Sequence, residues 1–145
     1  MGKKRIVKKG GDSGEGAGRG KSAGRLSRRK LERGILHVQA TYNNTKAILT
    51  EADGGAVAWS SSGSLGFKGA KKGTPFAAAQ IGELLGDKAK TLGLKEVLVV
   101  VRGVGSGRES VIRAFLARSG AVISSIQDRT PVPFNGPRPP RPRRV

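Results

Sequence analysis

Val97-Leu98-Val99-Val100-Val101 is an unbroken apolar run, and Gly103-Val104-Gly105-Ser106-Gly107-Arg108 follows it as a glycine loop. A strand with one wet face alternates apolar and polar residues. One that is apolar throughout predicts burial on both faces, as in a parallel sheet. Downstream, Ser106 and Glu109 have the spacing of a capping box, so a helix is expected there. It would carry Val111, Ile112, Phe115 and Leu116, stop at Gly120, and lead into a last strand over residues 121–126. Upstream, Thr74-Pro75 reads as an N-cap with proline at the first helical position. Ala77, Ile81, Leu84, Leu85 and Leu92 then share one helical face, and Gly93 ends it. Gly82 and Gly86 lie inside this helix, where each costs about 1 kcal/mol relative to alanine, which predicts a close neighbour over them.

Farther upstream, residues 35–41, 46–52 and 56–60 read as three strands. Tyr42-Asn43-Asn44 and Asp53-Gly54-Gly55 supply the turns between them. The basic stretch 26–33 is expected to form a helical turn. The order is therefore β-β-β-α-β-α-β, an α/β fold in which helices pack on a mixed sheet.

Charge divides the chain differently. The net charge of +18 comes from 28 Lys and Arg against 10 Asp and Glu. Residues 1–33 carry +9, residues 34–128 carry +4 and residues 129–145 carry +5. Three parts are expected: a basic Gly/Lys/Arg-rich extension (1–33), partly disordered without a partner; a folded body (34–128); and a C-terminal strap (129–145). The strap holds five arginines, six prolines and no acid. Proline removes the backbone donor that a helix or central strand needs, so the strap is expected to be extended. Strongly cationic arms on a less basic, ordinary folded body point to a polyanion, and nucleic acid fits best. An anionic membrane is disfavoured, because no lipidation pattern or amphipathic anchor accompanies the charge. A soluble intracellular protein is expected.

No cysteine is present, which removes disulfides, thiolate metal sites and a cysteine nucleophile. His37 is the single histidine and sits mid-strand. Gly20-Lys21-Ser22 imitates the end of a phosphate-binding loop, but position 15 is glutamate where that motif needs glycine. Glu51, Asp53 and Asp128 are the only acids expected near strand ends, which leaves a metal-dependent nuclease as a weak alternative. No catalytic, metal or cofactor site is expected, and no small-molecule substrate. A standalone nucleic-acid-binding regulator or RNA chaperone is the runner-up.

Two loops are candidate phosphate sites. Gly66-Phe67-Lys68-Gly69-Ala70-Lys71-Lys72-Gly73 brings Lys68, Lys71 and Lys72 to a helix start, and Gly105, Gly107 and Arg108 sit at another. With the first turn and the two arms, the expected RNA-binding residues are Arg28, Arg29, Lys30, Asn43, Asn44, Lys46, Lys68, Lys71, Lys72, Gly105, Gly107, Arg108, Asn135, Arg138, Arg141, Arg143 and Arg144. Only Trp59 clearly lies on a strand, so base stacking is expected to contribute little beside phosphate contacts. Asn135-Gly136 is a candidate isoaspartate site, because glycine leaves the asparagine amide open to attack by the next backbone nitrogen.

Four segments together resemble the universal small-subunit ribosomal protein eleven family. They are Gly66-Phe67-Lys68-Gly69 through Lys72-Gly73-Thr74-Pro75-Phe76-Ala77-Ala78; Gly107-Arg108-Glu109-Ser110; Asp128 through Thr130-Pro131-Val132-Pro133; and Asn135-Gly136 with Arg138-Pro139-Pro140. Tyr42-Asn43-Asn44-Thr45 is similar to the family's first turn. The resemblance spans roughly residues 34–145. It implies a ribonuclease-H-like five-stranded mixed sheet without an acidic catalytic site. It also implies ribosomal RNA on the platform of the small subunit, near the messenger RNA exit and the Shine–Dalgarno region. Small-subunit proteins seven, eighteen and twenty-one are the implied neighbours, in a cytoplasmic ribosome with an organellar one left open. Val104 and Ser106 stand where bacterial relatives carry prolines, Phe134 replaces a histidine, and Pro137 a cysteine.

Overall fold

The structure is a computed structural model that describes residues 30–144. Its elements are β1 (Arg33–Ala40), β2 (Thr45–Thr50), β3 (Ala56–Ser61), a 3-10 turn (Gly69–Gly73), α1 (Pro75–Leu92), β4 (Glu96–Arg102), α2 (Arg108–Ser119) and β5 (Val122–Asp128). The expected β-β-β-α-β-α-β order is present. The strands form one mixed sheet in the order β3-β2-β1-β4-β5. The β1–β2 and β2–β3 pairs are antiparallel, whereas β1–β4 and β4–β5 are parallel.

β4, whose apolar run predicted a buried parallel strand, lies between β1 and β5. Val97, Val99 and Val101 point into a core shared with Leu36, Val38, Ala47 and Leu49 of the sheet. Ile81, Leu85, Val111 and Phe115 close that core from the helical side. Thr74 caps α1 as its sequence predicted, accepting a hydrogen bond from the Ala77 N–H. Gly93 and Gly120 end the two helices in the left-handed conformation.

The two interior glycines of α1 are explained by α2. A Cβ on Gly82 would meet the Val111 carbonyl and lie 2.9 Å from the Ala114 Cβ. One on Gly86 would lie 2.6 Å from the Arg118 Cβ and 2.9 Å from the Phe115 carbonyl. The helices cross too closely for any side chain at these positions.

Three expectations need correction. Leu31 and Glu32 do not form a helical turn: the Leu31 N–H donates to the Leu92 carbonyl at 2.9 Å, and the Lys95 N–H donates to that of Glu32 at 3.0 Å. Leu31 is buried and β1 begins at Arg33, so packing against the end of α1 carries the folded body back to Leu31. Residues 26–29 lie outside the described residues. The second strand ends at Thr50, where the β2–β3 register shifts and the Glu51–Gly55 hydrogen bond closes the turn. The last strand runs on from residue 126 to Asp128, held by its register with Val100 and Val101.

Candidate nucleic-acid interface

The parallel strands β1, β4 and β5 all end at the same edge of the fold, and β2 begins there. Three loops and the root of the strap therefore meet at that edge. Small residues let their backbones touch. A Cβ on Gly105 would collide with the Thr41 carbonyl and one on Gly73 with that of Tyr42, so these contacts need glycine. The Gly105 N–H donates to the Ala40 carbonyl at 3.0 Å. Ser106 Oγ donates to the Gly73 carbonyl at 2.8 Å, joining the two predicted phosphate loops.

That last bond overturns the capping box. Gly107 is the N-cap of α2 and supplies no side-chain cap, while Glu109 pairs with Arg113 at 3.0 Å. Ser106 is drawn away to tie one loop to the other.

Asp128, Thr130 and Arg108 form a node beside the glycine loop. Arg108 donates from Nη1 to the Gly103 carbonyl at 2.7 Å and from Nη2 to Asp128 Oδ2 at 2.5 Å. Thr130 donates to Asp128 Oδ1 through its N–H at 2.9 Å and its hydroxyl at 2.6 Å. The Gly103 N–H donates to the same Thr130 hydroxyl at 3.2 Å. These bonds, from Thr130 first and Arg108 next, hold the Asp128 carboxyl well below its ordinary value.

The expected RNA-binding residues separate into two kinds. Lys46, Lys68 and Lys71 are exposed and Lys72 is half-buried, all near this edge. Asn43 is exposed. Asn44 turns inward instead, its Oδ1 accepting from Ser62 Oγ at 2.5 Å. Gly105 and Gly107 are buried and shape the loop, and of the two only Gly105 reaches the cavity beside Arg108. Arg108 has both terminal guanidinium nitrogens, Nη1 and Nη2, engaged by the fold. It still borders a cavity of about 250 Å³ lined by Gly105, Ser106, Glu109, Ser110 and Arg113. Lys30 is exposed, and Arg28 and Arg29 lie outside the described residues.

From Pro131 to Arg144 every residue is exposed and none lies in a helix or strand, including Arg138, Arg141, Arg143 and Arg144. Asn135 has a φ of 51°, the one left-handed non-glycine among the described residues. The three acids considered for a nuclease are separated: Asp128 ends β5 at the loop edge, whereas Glu51 and Asp53 follow Thr50 at the opposite edge.

Residues missed from sequence cluster here too. Tyr42 and Phe76 are exposed, and Phe76 meets Phe67 edge-on at 6.1 Å. The Asp128-Arg129-Thr130 turn was legible in principle, since Asp with Thr two residues on is a local side-chain-to-backbone motif. The arrangement presents cations on loops braced by backbone contacts, and it aims a cationic arm from a fixed root. That suits a polyanion's repeating charge. Among known families, the model described as Ribosomal protein S11 matches residues 34–144 of the chain.

Proposed function

This chain belongs to the ribosomal protein S11 family, a family of small-subunit ribosomal proteins that bind ribosomal RNA, and from that premise we propose how it engages the particle. The protein acts as a structural component, without catalysis, on the platform of the small subunit near the messenger RNA exit and the Shine–Dalgarno region. Its neighbours there are small-subunit proteins seven, eighteen and twenty-one, in a cytoplasmic ribosome. Lys46, Lys68, Lys71 and Lys72 grip RNA phosphates, and Arg138, Arg141, Arg143 and Arg144 thread between RNA segments. Asn43 and Asn135 add polar contacts, while Arg108 sets the direction in which the strap leaves. Asn135-Gly136 is a site of slow isoaspartate formation, in which the Gly136 nitrogen displaces ammonia from the Asn135 amide and water opens the resulting succinimide.

The observation that carries this reading is the convergence of the lysine loop, the glycine loop and the strap root at one edge of the sheet. Seventeen strap residues reach roughly 50 Å at polyproline rise, so one body can contact RNA far from its own surface. Ordering such an arm is entropically costly, and released counterions offset the cost. Crosslinking of purified small subunits tests the reading. Strap arginines and Lys68–Lys72 should crosslink to platform RNA and the body to the named neighbours. Recovery of the native protein free of small subunits in a sedimentation gradient would refute it in favour of a standalone regulator.

A further inference from the structure

The helices cover one face of the sheet and leave the other open. Register fixes what stands on that open face. Trp59 pairs with Ile48, Ile48 with His37, His37 with Val100 and Val100 with Gln127, so these five form one row across all five strands. Only the outer end of this row is exposed: Trp59 at 63% and Ile48 at 39%, whereas Val100 is buried. Two residues nearer the loop edge, a step of about 7 Å along a strand, the next row reads Ser61, Lys46, Gln39 and Arg102.

The charges on this face are arranged by sign. Away from the loops, Arg33 and Glu96 neutralise each other at 3.0 Å. Toward the loops, Lys46 and Arg102 have no ion-pair partner among the described residues. Between Lys46 and Gln39 a cavity of about 140 Å³ opens, lined also by Thr41 and Asn44, all polar side chains. His37 stays uncharged near neutrality, since burial first, then Arg102 and Arg129, hold its imidazole below the ordinary value of 6.5.

We propose that this open face is a second RNA surface that takes an unpaired nucleotide segment, with a base against Trp59 and Ile48 and the adjoining phosphates on Lys46 and Arg102. It rests on the RNA-binding reading above and departs from the expectation that stacking contributes little. The charge pattern favours RNA over protein. A protein partner that covered this face would bury two unpaired cations beside only two large exposed apolar side chains, a poor exchange. A nucleotide matches both at once: every base has a flat apolar face, and its phosphate sits one sugar away. The polar cavity beside Lys46 offers the side-chain amide of Gln39 to a base edge, as unpaired RNA requires, while the Thr41 hydroxyl is held by the Asn44 backbone.

Trp59 is the only tryptophan in the chain, so its fluorescence reports on this face alone. The full-length protein is titrated with a labelled oligouridylate and, separately, with an RNA duplex of equal length. Binding is followed by anisotropy and stacking by Trp59 emission. The single strand should quench Trp59, and Trp59→Ala should weaken its binding about tenfold. Trp59→Phe should restore most of that loss, Lys46→Gln should weaken the single strand too, and duplex affinity should be unmoved by Trp59→Ala. Trp59 is exposed on an edge strand, and circular dichroism of the variants verifies their fold. Normal oligouridylate binding with silent Trp59 emission and no effect of Trp59→Ala overturns the proposal while leaving the loop-edge interface intact. Loss of binding to both RNAs overturns the two readings together. Quenching by RNA-free small-subunit proteins, with none by oligouridylate, overturns it in favour of a protein partner.

Discussion

Arg108, in the first turn of α2, holds Asp128, the last residue of β5, at 2.5 Å. The same guanidinium reaches the Gly103 carbonyl, and Asp128 in turn binds both the N–H and the hydroxyl of Thr130. The root of the strap and the glycine loop are thus parts of one hydrogen-bonded unit. The Arg129 N–H adds a bond to the Val101 carbonyl at 2.8 Å, which extends the β4–β5 pairing by one residue before the prolines begin. An arm rooted this way leaves the body in one direction, so less ordering remains when RNA binds.

Replacing Asp128 with asparagine keeps the side chain's shape and removes the charge that Arg108 and Thr130 gather around. Amide hydrogen exchange at Gly103 and Thr130 should quicken several-fold, while that of the β1 and β4 core stays unchanged. The pH sign follows from the lowered pKa. The carboxylate's contribution is present above the ordinary value of 3.8 and is lost only as pH falls well below it. Protection at Thr130 should therefore survive at pH 4 in the native protein, and its loss there would contradict the arrangement.

Gly82→Ala and Gly86→Ala each gain helix propensity worth about 1 kcal/mol, yet both put a methyl into the backbone or Cβ atoms of α2. Overpacking should win, with a net loss of about 1–3 kcal/mol at either site. Urea denaturation measures it. A neutral or stabilised variant would mean that the helices separate without penalty.

Much of this was readable in advance, for physical reasons. The Val97–Val101 run marked β4 as an interior parallel strand, since so long an apolar run suits a strand flanked on both sides. Val97, Val99 and Val101 fill the core, while Leu98, on the face without helices, is only half-buried. Thr74-Pro75 fixed the start of α1 because the cap is local. What failed was tertiary. Ser106 looked like a cap until Gly73, thirty-three residues earlier, accepted its hydroxyl. Arg108 looked like a free cation, since its partner Asp128 lies twenty residues away. Trp59 looked isolated, because Ile48 and His37 join it only through sheet register.

His37 gives the fold a measurable pH dependence. Burial, Arg102 and Arg129 lower its pKa in the folded state, so the unfolded chain takes up a proton first as pH drops. This contribution is complete above about 6.5, the unperturbed value, and declines as pH falls below it. Urea midpoints should drop between pH 7.5 and 5.5, and His37→Gln should flatten that trend. An equal decline in the variant would assign the slope to other groups.

Truncation after Thr130 leaves the node intact and removes Arg138, Arg141, Arg143 and Arg144. Each phosphate neutralised by a bound cation contributes about 0.7–0.9 to the log–log salt slope, depending on whether the RNA is single- or double-stranded. With all four arginines on phosphates, the truncated protein should bind small-subunit ribosomal RNA more weakly at low salt, with a slope smaller by about 3. Because the strap makes no helix or strand with the body, thermal unfolding should hardly move. Those two readouts separate an arm that binds RNA from one that supports the fold. A full salt slope after truncation would mean that the loops carry the phosphate contacts alone.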